Sequence, residues 1–158
     1  MCRLLVDAMV WNYVAKARAL AGFLASLEPP VTLVEVVNQL KPALGRWPEL
    51  NEVVLATEHG GIETTELSEE EEEQRVRLLA ARPGLGPVDC GLLAVAALRQ
   101  WRLLTCEKAL TKVAADAGIA LADFGALLDE AVEAGFLSAG DRSWILAYSN
   151  GHIGHRSG

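Results

Sequence analysis

The sequence contains no apolar run long enough to cross a bilayer, which excludes a membrane-spanning helix and makes a membrane partner unexpected. It is short of cysteine: Cys2, Cys90 and Cys106 are an odd three without disulfide spacing. Together with the absence of a signal sequence, that predicts a reducing, cytoplasmic setting. The opening MCRLLVDAMV is too brief for the apolar region of a signal sequence and carries Asp7 inside it, so it reads as a first strand. There is no positive excess either. Fourteen Lys and Arg stand against 21 Asp and Glu, a net charge of −7. This argues against a protein that coats nucleic acid. It does not exclude an enzyme that holds nucleic acid through a metal, because a carboxylate cluster makes the chain acidic while its cation attracts phosphate. Repeats and linkers are also missing. One domain is expected over residues 1–148, with 149–158 as a flexible tail.

What is present is apolar residue in quantity, 51% of 158 positions, enough for one packed core. Leu4-Leu5-Val6 reads as a buried strand ending at Asp7. Residues 8–27 carry apolar positions at spacings of three and four, a helix stopped by Pro29-Pro30. Val31-Thr32-Leu33 is a second short strand. Helices are expected over 35–40, before Pro42, and from Pro48 to His59-Gly60-Gly61. Residues 62–67 alternate as an edge strand does. Ser68 then caps a helix running to Ala81, with Glu71 at the reciprocal position of a capping box and the run Glu69 to Glu73 near the positive end of the dipole. That run reads as a solvated helix start and not as a metal site. After the loop Pro83 to Pro87 come a helix to Gln100, a strand Arg102 to Thr105, a helix Lys108 to Ala117 closed by Gly118, and a strand-like Ile119 to Leu121. Two helices, 124–134 and 139–148, complete the domain. Short strands alternating with helices predict an α/β fold: a three-layer sandwich with a central, mainly parallel sheet of four to five short strands flanked by helices.

In such sheets ligands bind beyond the carboxyl ends of the strands. Asp7 sits at the exit of the first strand, Glu107 at the exit of RLLT, and Asp89 at the start of the helix leading back into that strand. Three distant acids can therefore converge on one sheet edge. Carboxylates that close repel, and a hard cation such as Mg²⁺ or Mn²⁺ would relieve them. Each acid also has a structural reading: Asp89 as a helix cap, Glu107 as a first-turn acid favoured by the dipole. Asp7 has the weakest such reading, since LLVDAMV puts a charge between apolar runs.

The segments LLVDAMVWNYV, PPVTLVEVVNQL and GLGPVDCGLLAVAALRQWRLLTCEKALTKVAADAGI resemble a PIN domain, the small α/β nuclease fold of VapC-type toxins and related uncharacterised prokaryotic proteins. The most specific part is an acid, a Leu-Ala-x-Ala helix, and a strand ending in Leu-Thr-x-acid. The likeness covers nearly the whole chain up to Tyr148. It implies an acid cluster around Mg²⁺ or Mn²⁺ that activates water to cut single-stranded RNA, with Asp7, Asp89 and Glu107 matching three of the family's acids. It also implies an RNA substrate, an antitoxin-type protein partner and a homodimer. Two positions depart from the pattern. Gln39 stands where relatives carry a glutamate, so one negative charge is lost; Glu35, four residues earlier, is a substitute on the same helix face. Cys106 stands where relatives often carry Asp.

Two functions are therefore open: a metal-dependent ribonuclease, or a weakened domain of the same fold that binds a protein or RNA without cleaving. Around the acids, Thr105 can touch a phosphate or cap the following helix. Lys108 and Lys112 can hold an RNA backbone or form a solvated face. Trp11 or Tyr13 can stack on a base or pack in the core. Cys90 and Cys106 read as small buried hydrophobes. Trp144 and Tyr148 pack the last helix or meet a second subunit, and His152 and His155 fall in the expected tail.

Overall fold

The computed structural model describes residues 3–156; Cys2, with Met1, Ser157 and Gly158, lies outside the described residues. The four strands β1 (Leu4–Val6), β2 (Val31–Leu33), β3 (Glu63–Thr65) and β4 (Arg102–Leu104) form one parallel sheet ordered β3-β2-β1-β4. β2 is buried at every position, as its apolar VTL requires. β3, at the edge, reads ETT and is largely exposed. Thr32 is the polar exception inside. Its hydroxyl donates to the Val6 carbonyl (2.7 Å) and accepts from the Trp11 indole (3.2 Å), so no polar group is buried unpaired there.

Parallel strands need crossovers, and helices supply them. α1 (Ala8–Lys16) and α2 (Leu20–Ala25) link β1 to β2. α3 (Val34–Leu40) and α4 (Asn51–Glu58) link β2 to β3, with 3-10 turns at Lys41–Ala43 and Pro48–Leu50. α5 (Glu69–Ala81) and α6 (Pro87–Arg99) link β3 to β4. α7 (Lys108–Asp116), α8 (Phe124–Glu133) and α9 (Ala139–Ser149) follow. The sheet lies inside a core that includes Trp11, Phe23, Leu33, Leu92 and Leu103. Trp11, Phe23 and Phe124 meet edge to face at 6.5 and 6.0 Å.

Three expectations change. The single helix over 8–27 is two, because Arg18 takes a left-handed turn (φ 57°). The turn is closed by Arg18 N–H to Ala15 and Ala19 N–H to Val14, and no Gly or Pro marks it. Gly22, one turn into α2, allows a close approach: a Cβ there would lie 2.3 Å from the Phe136 carbonyl. The strand-like 119–121 makes only an isolated bridge, Leu121 to Leu103, so among the described residues the sheet has four strands. The helix expected from Asp89 opens earlier, at Pro87, which needs no N–H donor in a first turn.

The segment after α9, expected to be a flexible tail, lies against the domain as far as Arg156. The His155 ring stacks on Trp47 at 4.0 Å, and Arg156 donates to the Ala17 carbonyl and the Asp141 carboxylate, both at 2.7 Å. Trp144 and Tyr148 pack on each other, and His152 packs on both.

Candidate functional site

β1 and β4 pair with Val6 opposite Leu104, so the next residues, Asp7 and Thr105, leave the sheet side by side. This is also where strand order reverses: the chain moves from β1 to β2 and β3 on one side, then returns to place β4 on the other. Crevices in parallel sheets open at such points.

Asp7 is buried, 3% exposed. It caps α1 by accepting the Ala8 N–H at 2.6 Å, and its second oxygen accepts the Thr105 hydroxyl at 2.7 Å. The same hydroxyl accepts the Glu107 N–H at 3.1 Å. Thr105 thus ties the two acid-bearing segments together; this use of the side chain depends on the register and not on a motif. Glu107 precedes the first residue of α7, but its side chain makes no capping bond, which leaves the carboxylate to the cavity. Asp89 is a first-turn acid of α6.

All three acids line one cavity of about 540 Å³, with Asn12, Gln39 and Pro42 on its other walls. Their electrostatics agree with that placement. Burial raises the Asp7 carboxyl above the usual carboxylate range, the Asp89 charge raises it further, and the bonds from Thr105 and Ala8 only partly compensate. Glu107 is raised by burial and then by the charges of Asp89 and Asp7. Asp89 is raised by burial, against a hydrogen bond from the Gly86 backbone. Beside them the Cys106 thiol is pushed up to about 12 by burial and the charges of Asp7 and Glu107, so it stays protonated. Tyr13 is raised chiefly by burial, and further by the negative charges of Glu107 and Asp7. Cys90 is fully buried, a thiol acting as a small hydrophobe, and Trp11 is core.

Glu35 does not join this group. It lines a separate cavity with Thr65, Glu66 and Glu72, and Arg75 Nη1 binds both its oxygens at 2.6 and 2.9 Å. Four-residue spacing put Glu35 and Gln39 on one helix face, but an arginine forty positions away captured the first of them. Gly91 leaves room for that arginine: a Cβ there would come within 3.2 Å of Arg75 Nη1. The glutamate run of α5 is likewise more than a solvated start. The capping box between Ser68 and Glu71 is formed, but Glu71 is 3% exposed and its two oxygens take Arg99 at 2.7 and 2.8 Å.

The side-chain oxygens lining the acid cavity are those of three carboxylates and of the Asn12 and Gln39 carboxamides, hard donors of the kind Mg²⁺ and Mn²⁺ take. In donor chemistry the site fits such a cation. As placed, no three His, Cys, Asp or Glu side chains among the described residues close round a single point. Lys108, next to Glu107, is exposed, and Asn12 was not signalled by any motif. Among the described residues no helix is long and apolar enough to cross a membrane. A family model described as "PIN domain" matches residues 4–116, a span holding Asp7, Asp89 and Glu107. No curated protein gives a match.

Proposed function

The chain belongs to the PIN-domain family, a nuclease-type fold, and from that premise we propose that it is a divalent-metal-dependent ribonuclease that cuts single-stranded RNA at the cavity of Asp7, Asp89 and Glu107. PIN domains generally use divalent ions and commonly bind RNA. The observation that carries the reading is the convergence of three carboxylates, each raised in proton affinity, on one cavity where strand order reverses.

Asp7, Asp89 and Glu107 would hold Mg²⁺ or Mn²⁺, with the Gln39 carbonyl as a neutral fourth donor. When bound, such a cation lowers the pKa of water and offsets charge on a phosphate. The chain's own residues supply position. Thr105 fixes one Asp7 oxygen and the Ala8 N–H the other, so this carboxylate is held still before any substrate arrives. Asp89 and Glu107 are only partly buried, and their repulsion favours a cation over two bare charges. Lys108 beside Glu107 offers a cation to a phosphate oxygen. As PIN domains sometimes pair with antitoxins, the chain is also a candidate toxin of such a pair.

One feature favours the second reading, a partner-binding domain that does not cleave: Gln39 brings a carboxamide, not a fourth carboxylate, to the wall. Calorimetric titration of the chelator-stripped protein with Mn²⁺, with Asp7→Asn alongside and RNA cleavage assayed on both, separates the readings. The nuclease reading requires binding and cleavage that the variant loses. Cleavage surviving in Asp7→Asn sinks it, and no Mn²⁺ binding to the native chain selects the second.

A further inference from the structure

A second concavity, about 410 Å³, lies on the segments that lead into and out of the acid cavity, and the proposed chemistry does not use it. Its walls come from the loop between α5 and α6 and from the outer face of α7, and they include Arg82, Pro83, Leu85, Lys112 and Val113. Both bounding segments run into the acid cavity. The loop feeds the first turn of α6, which carries Asp89, and α7 begins immediately after Glu107. Lys112 lies five residues beyond Glu107, about 7.5 Å along the helix axis.

The charges here are the reverse of those in the acid cavity. Arg82 and Lys112 are exposed, and neither side chain has a hydrogen bond or ion pair among the described residues. Asp116 also lines the concavity but pairs with neither, so the wall keeps an excess of one positive charge in a chain whose net charge is −7. Such an excess next to a carboxylate cluster suits a polyanion that must enter an acidic protein: the cations take the phosphates the acids repel. Between the two cations are Pro83, the buried Leu85 and the half-buried Val113, an apolar floor for the flat face of a base or a ribose.

We propose that this concavity is a subsite for single-stranded RNA. In it Arg82 and Lys112 bind backbone phosphates flanking the one at the acid cavity, and the Pro83, Leu85 and Val113 surface receives a base. The proposal rests on the ribonuclease reading for the identity of the ligand, and its residues position substrate without touching the reacting atoms.

The test is fluorescence anisotropy of a labelled oligouridylate with the full chain in EDTA, where cleavage cannot contribute, repeated across a range of salt. In Arg82→Ala/Lys112→Ala, binding is expected to weaken and the slope of log K against log salt to become shallower by about 1.4, from about 0.7 per phosphate contact on a single strand. The thermal midpoint should stay unchanged, as both side chains are exposed. The charge-conserving pair Arg82→Lys/Lys112→Arg should bind as the native chain does. An unchanged affinity and slope in the alanine pair, or no binding by the native chain, overturns the subsite. Asp7→Asn separates the two claims: it should still bind the oligouridylate in EDTA, so cleavage that survives in it with Mn²⁺ defeats the nuclease reading and leaves the subsite standing.

Discussion

Two clusters of acids sit at the carboxyl-end side of the same sheet, and they are built on opposite terms. At β1 and β4, Asp7, Asp89 and Glu107 face one cavity with no basic side chain among its lining residues, and all three are raised above the ordinary carboxylate range. Near β2 and β3, Glu35, Glu71 and Glu72 meet Arg75 and Arg99. There the Arg99 hydrogen bond holds Glu71 below its ordinary value in spite of burial. Arg75 rises although burial alone would lower it, because Glu35 and Glu72 bind it. The second cluster spends its charges on joining α3, α5 and α6. The first leaves its carboxylates without a basic partner, at a cost to the free protein.

The sharpest way to break this comparison is to unpair the second cluster. Arg99→Ala leaves Glu71 buried without its partner, and urea unfolding should show a loss of about 3 kcal/mol. Next is the gain from a ligand. Mn²⁺ at a hundred times its dissociation constant should stabilise the native chain by about 2.7 kcal/mol, read as a rise in thermal midpoint, and Asp7→Asn should lose that response. A smaller effect has the opposite sign to most substitutions. In metal-free protein Asp89→Asn should raise the thermal midpoint slightly at neutral pH, because it removes a carboxylate whose charged form is disfavoured by burial.

The pH dependence gives the same contrast. The folded acids of the cavity keep protons that the unfolded chain releases. Metal-free stability should therefore fall as pH rises from the ordinary carboxylate range through the raised values. Glu71 works the other way: its contribution is present above the ordinary range and lost as pH falls through its depressed value. The smallest effect is Glu35→Gln, which should cost about 0.5 kcal/mol, because Glu72 still holds Arg75, and should leave Mn²⁺ binding unchanged. Weakened Mn²⁺ binding in that variant would merge the two clusters into one site.

Much of the fold was legible because strand ends and helix starts are local events. LLV followed by Asp, and RLL followed by Thr, mark where apolar backbone leaves the sheet. Ser68 and Glu71 announce a cap within four residues. The convergence of Asp7, Asp89 and Glu107 followed from one rule about parallel sheets. What stayed hidden was decided by distant partners. The Arg75 claim on Glu35 and the burial of Glu71 under Arg99 depend on side chains that no local pattern names. The break at Arg18 has no Gly or Pro to signal it; the adjacent Ala17 carbonyl receives Arg156 from the far end of the chain. Residues 119–121, read as strand-like, stay outside the four-stranded sheet because they contribute only one bridge.

The bond from Thr105 to Asp7 joins positions 98 residues apart. A ribosome making this chain has therefore released the first acid long before the last exists, and the central strand waits for its outer neighbour through the whole interval. Closing a loop of that length delays assembly, because its entropy is lost before the contacts form. Until then the acids are dispersed along an open chain, each solvated and at its ordinary affinity for protons. The cavity is thus absent from every nascent chain that stops short of Glu107.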